Sequence, residues 1–212
     1  AELESLAQVL LKHPDIFVVS DEIYEHINFR AKHASIASIP GMYERTITVN
    51  GVSKAFAMTG WRIGYIGAAQ WIAKACTKFQ GQITSGANAI GQRATIEALN
   101  APVSKIRFMI DEFHNRRDLL LGLLGEIEGF RLNVPEGAFY VFPDISDFFG
   151  KNYNGIQIDN ASDFAMYLLE NANVATVTGE AFGNPNCIRI SYAASESELR
   201  EAAARIKAAL TE

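Results

Sequence analysis

The chain has 212 residues, 49% of them hydrophobic and 20% charged, with a formal net charge of −5, the proportions of a globular protein with a buried core. A net negative chain carries no electrostatic footprint for nucleic acid, and no apolar run approaches the roughly 20 residues that a membrane helix needs, so neither partner is expected. Residues 1–5 show no basic stretch leading into an apolar one, so no export signal is expected, and Cys76 and Cys187, at no metal or redox spacing, read as packed thiols of a cytoplasmic protein, with a disulfide between them left open.

Leu3, Leu6, Val9 and Leu10 repeat at helical spacing, predicting a helix over residues 2–13 that His13-Pro14 breaks. The chain starts without methionine and on this pattern already under way, which marks it as an expected piece of a longer protein. Ile16-Phe17-Val18-Val19 is a short continuous apolar run of the kind found in strands covered on both faces. Thr46-Ile47-Thr48-Val49 predicts a second strand and Ile63-Gly64-Tyr65-Ile66-Gly67 a third, followed by helices over 71–80 and 87–99. Short apolar strands alternating with helices predict an α/β sheet, mostly parallel, with helices on both faces.

Pro102 is the expected start of a long amphipathic helix reaching about Ile127 through Ile106, Met109, Ile110, Phe113, Leu120 and Leu124. Its length predicts a bridge, and the domain boundary is placed at 101/102. Beyond it, strands at 139–142 and 187–191, a helix over 162–171 and a closing helix over 196–210 predict a smaller α+β domain, 102–212.

Three segments carry residues suited to chemistry. Ser20-Asp21-Glu22-Ile23-Tyr24 follows a predicted strand, and ligands of open α/β sheets bind beyond the carboxyl ends of strands. The plainer alternative is that Asp21 caps a helix and Tyr24 packs. In Ser53-Lys54-Ala55-Phe56-Ala57-Met58-Thr59-Gly60-Trp61-Arg62 a lysine sits at a strand end among apolar residues, with Arg62 following in the same loop. A desolvated lysine becomes a nucleophilic amine; the alternative is a surface lysine beside a structural arginine. Arg189 interrupts the apolar strand Cys187-Ile188-Arg189-Ile190-Ser191. By alternation it faces away from Ile188 and Ile190. It serves either as a bidentate carboxylate grip or, more plainly, as a structural ion pair or a solvent-facing residue.

The stretch from Ser53 to Tyr65, with Asp21-Glu22-Ile23-Tyr24 before it and Pro135-Glu136-Gly137-Ala138-Phe139-Tyr140 after it, resembles the class I/II aminotransferases, the aspartate-aminotransferase-like branch of fold-type-I pyridoxal-phosphate enzymes. The likeness runs over the whole chain. It implies the carboxyl-terminal half of such an enzyme, with residues 1–101 forming the end of the large cofactor-binding domain and 102–212 the small domain. It implies pyridoxal 5'-phosphate as cofactor: Lys54 bonds its aldehyde and acts as the catalytic base and acid. Asp21 pairs with the pyridine nitrogen, Tyr24 with the phenolic oxygen, Arg62 with the phosphate, and Arg189 with the substrate α-carboxylate. It further implies ping-pong transfer of an amino group between an L-amino acid and a 2-oxo acid, with aspartate and 2-oxoglutarate favoured by the look of residues 55–61, and a homodimer as the complete protein. One departure is Gly51, where many relatives carry serine, so one phosphate contact is expected to be missing.

The family's amino-terminal half supplies a phosphate-cradling loop, a ring-stacking aromatic and an asparagine, so the 212 residues alone are expected to be inactive. Two other readings share these motifs. One is another fold-type-I pyridoxal-phosphate enzyme, such as a carbon–sulfur lyase or a decarboxylase. The other is the non-catalytic aminotransferase-like domain of a transcriptional regulator.

Overall fold

Helix α1 (Glu2–Leu10) is shorter than its apolar pattern, which runs on to Leu11. Pro14 has no N–H for the Leu10 carbonyl, and Arg45 satisfies the carbonyls at this end instead, donating from Nη1 to those of Leu10 and His13 and from Nη2 to that of Pro14. In this computed structural model, which describes residues 1–30 and 32–211, Ala7 packs with Ile36 and Met42, and Leu3, Leu10, Val18 and Ile39 close around them.

The chain divides into two units, Ala1–Ile110 and Asp111–Glu212. The first is built on strands β1 (Val18–Asp21), β2 (Thr46–Gly51) and β3 (Gly64–Gly67), in that spatial order. β1 and β2 are parallel, with Asp21 opposite Val49, so both end at the same edge of the sheet. β3 runs antiparallel to β2, joined to it by residues 52–63. Helices α2 (Gln70–Ile83) and α3 (Ala89–Asn100) follow.

The expectation of strands covered on both faces is corrected here: Val19 is 70% exposed and all four residues of β3 are exposed. Phe79, Ile83 and Ile90 on α2 and α3 are exposed as well. Cys76 also departs from its expected packing, lying exposed on α2, whereas Cys187 is buried.

Instead of one helix from Pro102, a 3-10 turn (Val103–Lys105) precedes α4 (Arg107–Gly125). Ile106 and Ile110 pack with Ala55, Phe29 and Phe56. The first turn of α4 therefore packs within the first unit.

The second unit contains β4 (Tyr140–Val141), β5 (Lys151–Tyr153), β6 (Ile156–Ile158), α5 (Ala161–Ala172), β7 (Val177–Thr178), β8 (Ile188–Ser191) and α6 (Glu196–Leu210). β8 is central, antiparallel to β4 on one flank and to β7 on the other. Its core is aromatic: Phe148 lies 4.8 Å from Phe164 and 5.2 Å from Phe130 between ring centroids. Tyr167, wholly buried, donates its hydroxyl hydrogen to the Ala209 carbonyl and ties α5 to α6. Asn160 caps α5 and the Ser195/Glu198 capping box starts α6.

Gly179 is a point of close backbone approach. Its N–H donates to the Cys187 carbonyl at 2.7 Å, and an added Cβ would overlap both that carbonyl oxygen and that of Asn184. Gly179→Ala is therefore expected to destabilise the second unit by about 3 kcal/mol, the upper range for steric overlap in a packed site. Urea unfolding followed by circular dichroism measures this; a change below about 0.5 kcal/mol would show that the turn relaxes freely.

Candidate active site at the strand ends of the first unit

β1 ends on Asp21 and β2 on Asn50-Gly51, and because the strands are parallel both following loops leave the same edge of the sheet. After β1 the chain turns at once. The Ile23 N–H donates to Asp21 Oδ1 at 3.2 Å, an Asx turn that engages one carboxylate oxygen and leaves the side chain exposed. The Glu22 N–H donates to the Val49 carbonyl at 2.8 Å, fastening this turn to β2. Tyr24, three residues on, is half-buried, and Lys54 Nζ lies 5.8 Å from the centre of its ring. The two side chains come from the loops after β1 and β2 respectively, so the parallel pairing is what brings them together.

Lys54 is half-buried, between buried Val52 and Ala55. The chain then passes through a 3-10 turn (Thr59–Trp61) to Arg62, which takes the left-handed conformation at φ 57° and ψ 47°. A non-glycine residue there is uncommon. Arg62 Nη1 donates to the Thr59 carbonyl at 3.0 Å, and this is its one side-chain hydrogen bond among the described residues. A small cavity of about 210 Å³ is lined by Ile23, Asn50, Gly51, Ser53, Arg62 and Ile63, with Gly64. It joins the two loops: Ile23 lies between Asp21 and Tyr24, while Ser53 and Arg62 flank the Lys54 segment. A Cβ on Gly51 would stand 3.0 Å from the Ile63 carbonyl oxygen and 3.2 Å from Ile23 Cδ1, so the departure noted at this position matches a tight fit of β2 against the neighbouring chain.

One residue in this region carries more than the sequence reading gave it. Glu22 is 8% exposed and accepts hydrogen bonds from Ser20 at 3.0 Å, Ser35 at 2.6 Å and His33 at 2.8 Å. Burial alone would raise its carboxyl pKa, but these bonds and the charge of His33 outweigh it and hold the pKa below the ordinary 4.5. The folded chain thus binds this proton less readily than the unfolded chain. The stabilisation is complete at neutral pH and is lost as pH falls from about 4.5 through the folded value. Glu22→Gln is expected to flatten that part of the acid dependence. Urea midpoints of parent and variant between pH 7 and pH 3.5 test this, and equal slopes would remove the assignment.

In the second unit Arg189 is half-buried on β8, its side chain opposite in sense to buried Ile188 and Ile190, as the alternation predicts. Its guanidinium carbon lies 4.5 Å from the ring centre of Tyr140 and 4.2 Å from that of Phe182. Among the described residues it forms no side-chain hydrogen bond and no ion pair, in contrast to Arg116, Arg117, Arg131, Arg200 and Arg205. The structural-ion-pair alternative finds no partner for this side chain among the described residues. No group of three or more potential metal ligands occurs among the described residues, and no helix among them is long and apolar enough to cross a membrane.

With this geometry in hand, comparison with known proteins is informative. The family model for aminotransferase class I and II matches residues 1–206. A bifunctional aspartate aminotransferase and glutamate/aspartate-prephenate aminotransferase of Petunia hybrida is 50% identical over 98% of the chain and 44% of its own length. An aspartate aminotransferase of Rhizobium meliloti is 46% identical over 99% of the chain and 52% of its own. Among solved structures, the crystal structure of the aspartate aminotransferase from Rhizobium meliloti superposes with a TM-score of 0.93 at 46% identity, covering 96% of this chain and 52% of that one. An aromatic aminotransferase from Pyrococcus horikoshii gives 0.89 at 41%, covering 98% and 54%. The chain spans about half the length of the relatives it matches.

Proposed function

The chain belongs to the class I and II aminotransferases and has their α/β fold, and from that premise we propose that it is the carboxyl-terminal half of a pyridoxal-phosphate-dependent aspartate aminotransferase. What supports this reading is Lys54 Nζ lying 5.8 Å from the centre of the Tyr24 ring, with Asp21 and Arg62 carried by the same two loops, which a cavity lined by Ile23, Ser53 and Arg62 joins. In this reading residues 1–101 end the large domain and 102–212 form the small one. The complete protein is a cytoplasmic homodimer acting on amino acid and 2-oxo acid substrates.

The residues present fit the family's cofactor. Arg62 has guanidinium donors beyond the one engaged by Thr59, and the cavity it lines with Ser53 matches the demands of a phosphate, which a planar fork binds bidentately. Asp21 engages one carboxylate oxygen in the Asx turn and is exposed, so its other oxygen can hold a proton on a ring nitrogen. Tyr24 can donate to a phenolic oxygen from beside Lys54. Bound pyridoxal phosphate supplies an electron sink that makes the substrate's Cα–H bond acidic.

The chain's own part is binding and proton transfer. With the cofactor bound, Lys54 would hold it through its aldehyde carbon and, once displaced by the substrate amine, would take the proton from Cα as general base and deliver it to that cofactor carbon as general acid. Arg189 grips the α-carboxylate and so fixes which Cα bond is presented. Asp21 keeps its partner nitrogen protonated throughout.

The test uses the complete protein with aspartate, 2-oxoglutarate and added pyridoxal phosphate. Oxaloacetate and glutamate in equal amounts are expected. With an S-substituted cysteine in place of aspartate, pyruvate, free ammonia and a thiol would assign a carbon–sulfur lyase instead, and no turnover of any amino acid would favour the regulator-type domain. Prephenate in place of 2-oxoglutarate tests the second activity that the names of several relatives carry.

A further inference from the structure

Arg189 poses a physical question that a carboxylate grip alone does not answer. A guanidinium with no acceptor among the described residues, half-buried beside an apolar core, is costly, and an arginine side chain with rotational freedom loses about 2 kcal/mol of rotamer entropy when it is fixed. Yet this one lies against two rings, those of Tyr140 and Phe182.

The topology explains how. β8 is the central strand of its sheet. On one flank, β4 pairs Tyr140 with Ser191. Ser191 is two residues from Arg189 and shares its face, so the Tyr140 ring reaches the guanidinium along the diagonal of the ladder. On the other flank, β7 pairs Val177 with Arg189 and leads directly into the tight turn Gly179–Phe182. The close approach at Gly179 folds that turn back against Cys187 and Asn184 and brings Phe182 to 4.2 Å from the guanidinium carbon. Phe142, at 6.1 Å and 88° to Phe182, supports the second ring from its edge.

Rings at such distances attract a cation through their negative faces, and arginine best through its own flat face. Contacts of that kind use the faces of the guanidinium and leave its N–H edge unspent, which agrees with the lack of any hydrogen bond or ion pair on this side chain among the described residues. We infer that Tyr140 and Phe182 are positioning residues: together they clasp Arg189 flat, so that its N–H edge is set for a carboxylate before one arrives. The clasp acts on binding rather than on the proton transfer, because neither ring needs to touch the reacting carbon for it to work. The inference rests on the reading of Arg189 as the α-carboxylate site.

The experiment measures succinate binding to the complete, cofactor-loaded protein by calorimetry, together with kcat and KM for aspartate. Succinate has the carboxylates of the substrate without its amine, so its affinity reports the grip and not the chemistry. Phe182→Leu and Tyr140→Leu are each expected to weaken succinate about fivefold, and the double variant more than tenfold. KM for aspartate should rise in parallel while kcat changes less than twofold. Phe182→Tyr and Tyr140→Phe keep the rings and should bind like the parent. Phe182 is 46% exposed, so its replacement leaves the core intact even where the Tyr140 change does not. Arg189→Leu separates the two levels of the argument. If it loses succinate binding more than a hundredfold while both leucine variants bind normally, the clasp is wrong and the carboxylate site stands. If Arg189→Leu itself binds succinate normally, both fall.

Discussion

Replacing Lys54 by alanine is expected to lower turnover of the complete enzyme by at least about ten-thousandfold. A positioned general acid–base group contributes about 10²- to 10⁴-fold by itself, and in the proposed mechanism Lys54 also holds the cofactor covalently, so both contributions disappear together. Lys54→Arg is the sharper variant. It retains the positive charge beside Tyr24, which lies 5.8 Å from the amine, but a guanidinium does not deprotonate near neutral pH and can act neither as nucleophile nor as base. Both variants should be equally inactive, which a purely electrostatic role for Lys54 does not predict. The side chain is half-buried on a loop and outside the apolar cluster of Ala55, Ile106 and Ile110, so thermal midpoints should move by only a few degrees. Turnover above about one hundredth of the parent in either variant would show that another group carries the proton.

The parts of this site that could be read from the sequence are those in which one short segment holds the whole signal. Lys54 and Arg62 lie in one loop, and Asp21 and Tyr24 in one turn, so strand ends and residue type sufficed to single them out. Glu22 stands between them and was passed over, because its partners Ser35 and His33 lie 13 and 11 residues downstream and no spacing rule links them. The same limit applies to the rings around Arg189: Tyr140 is remote from it in sequence, Phe182 is nearer but in the turn after β7, and only the order β4-β8-β7 brings both to one side chain. The Arg62 conformation was equally hidden, since arginine is no signal for a left-handed residue.

Other differences were legible and were missed. Asn154-Gly155, with φ of 52° and 80°, is the strongest two-residue hairpin signal, and it joins β5 to β6. Each of those strands has only three residues, too few for alternation to show. The exposed faces of β1 and β3 are a third case. Val18-Val19 and Tyr65-Ile66 are as apolar as strands covered on both sides, and the pattern records what such a strand is suited to pack against, not whether the covering element lies within the same 212 residues.

Asp21→Asn is expected to lower turnover about 10²- to 10³-fold with the turn intact. The reason is specific to this geometry. The Asx turn needs only an oxygen acceptor for the Ile23 N–H, now at 3.2 Å from Oδ1, and an asparagine amide oxygen supplies one. The substitution therefore removes a charge and little else. An opposite charge within about 4–6 Å shifts a partner's pKa by roughly 1–3 units, so a ring nitrogen that loses the carboxylate loses its proton near neutral pH, and the electron sink weakens by a comparable factor. Asp21→Ala removes both charge and turn acceptor, and should lose more activity than Asp21→Asn together with some stability. Lowering the assay pH should restore part of the Asp21→Asn activity, because solvent then supplies the proton that the side chain no longer holds, whereas it should not restore Lys54→Ala. The pH profile of kcat for the two variants measures the difference. An Asp21→Asn enzyme with parental turnover at neutral pH would mean that this carboxylate serves the turn alone, and the ring nitrogen would need another partner.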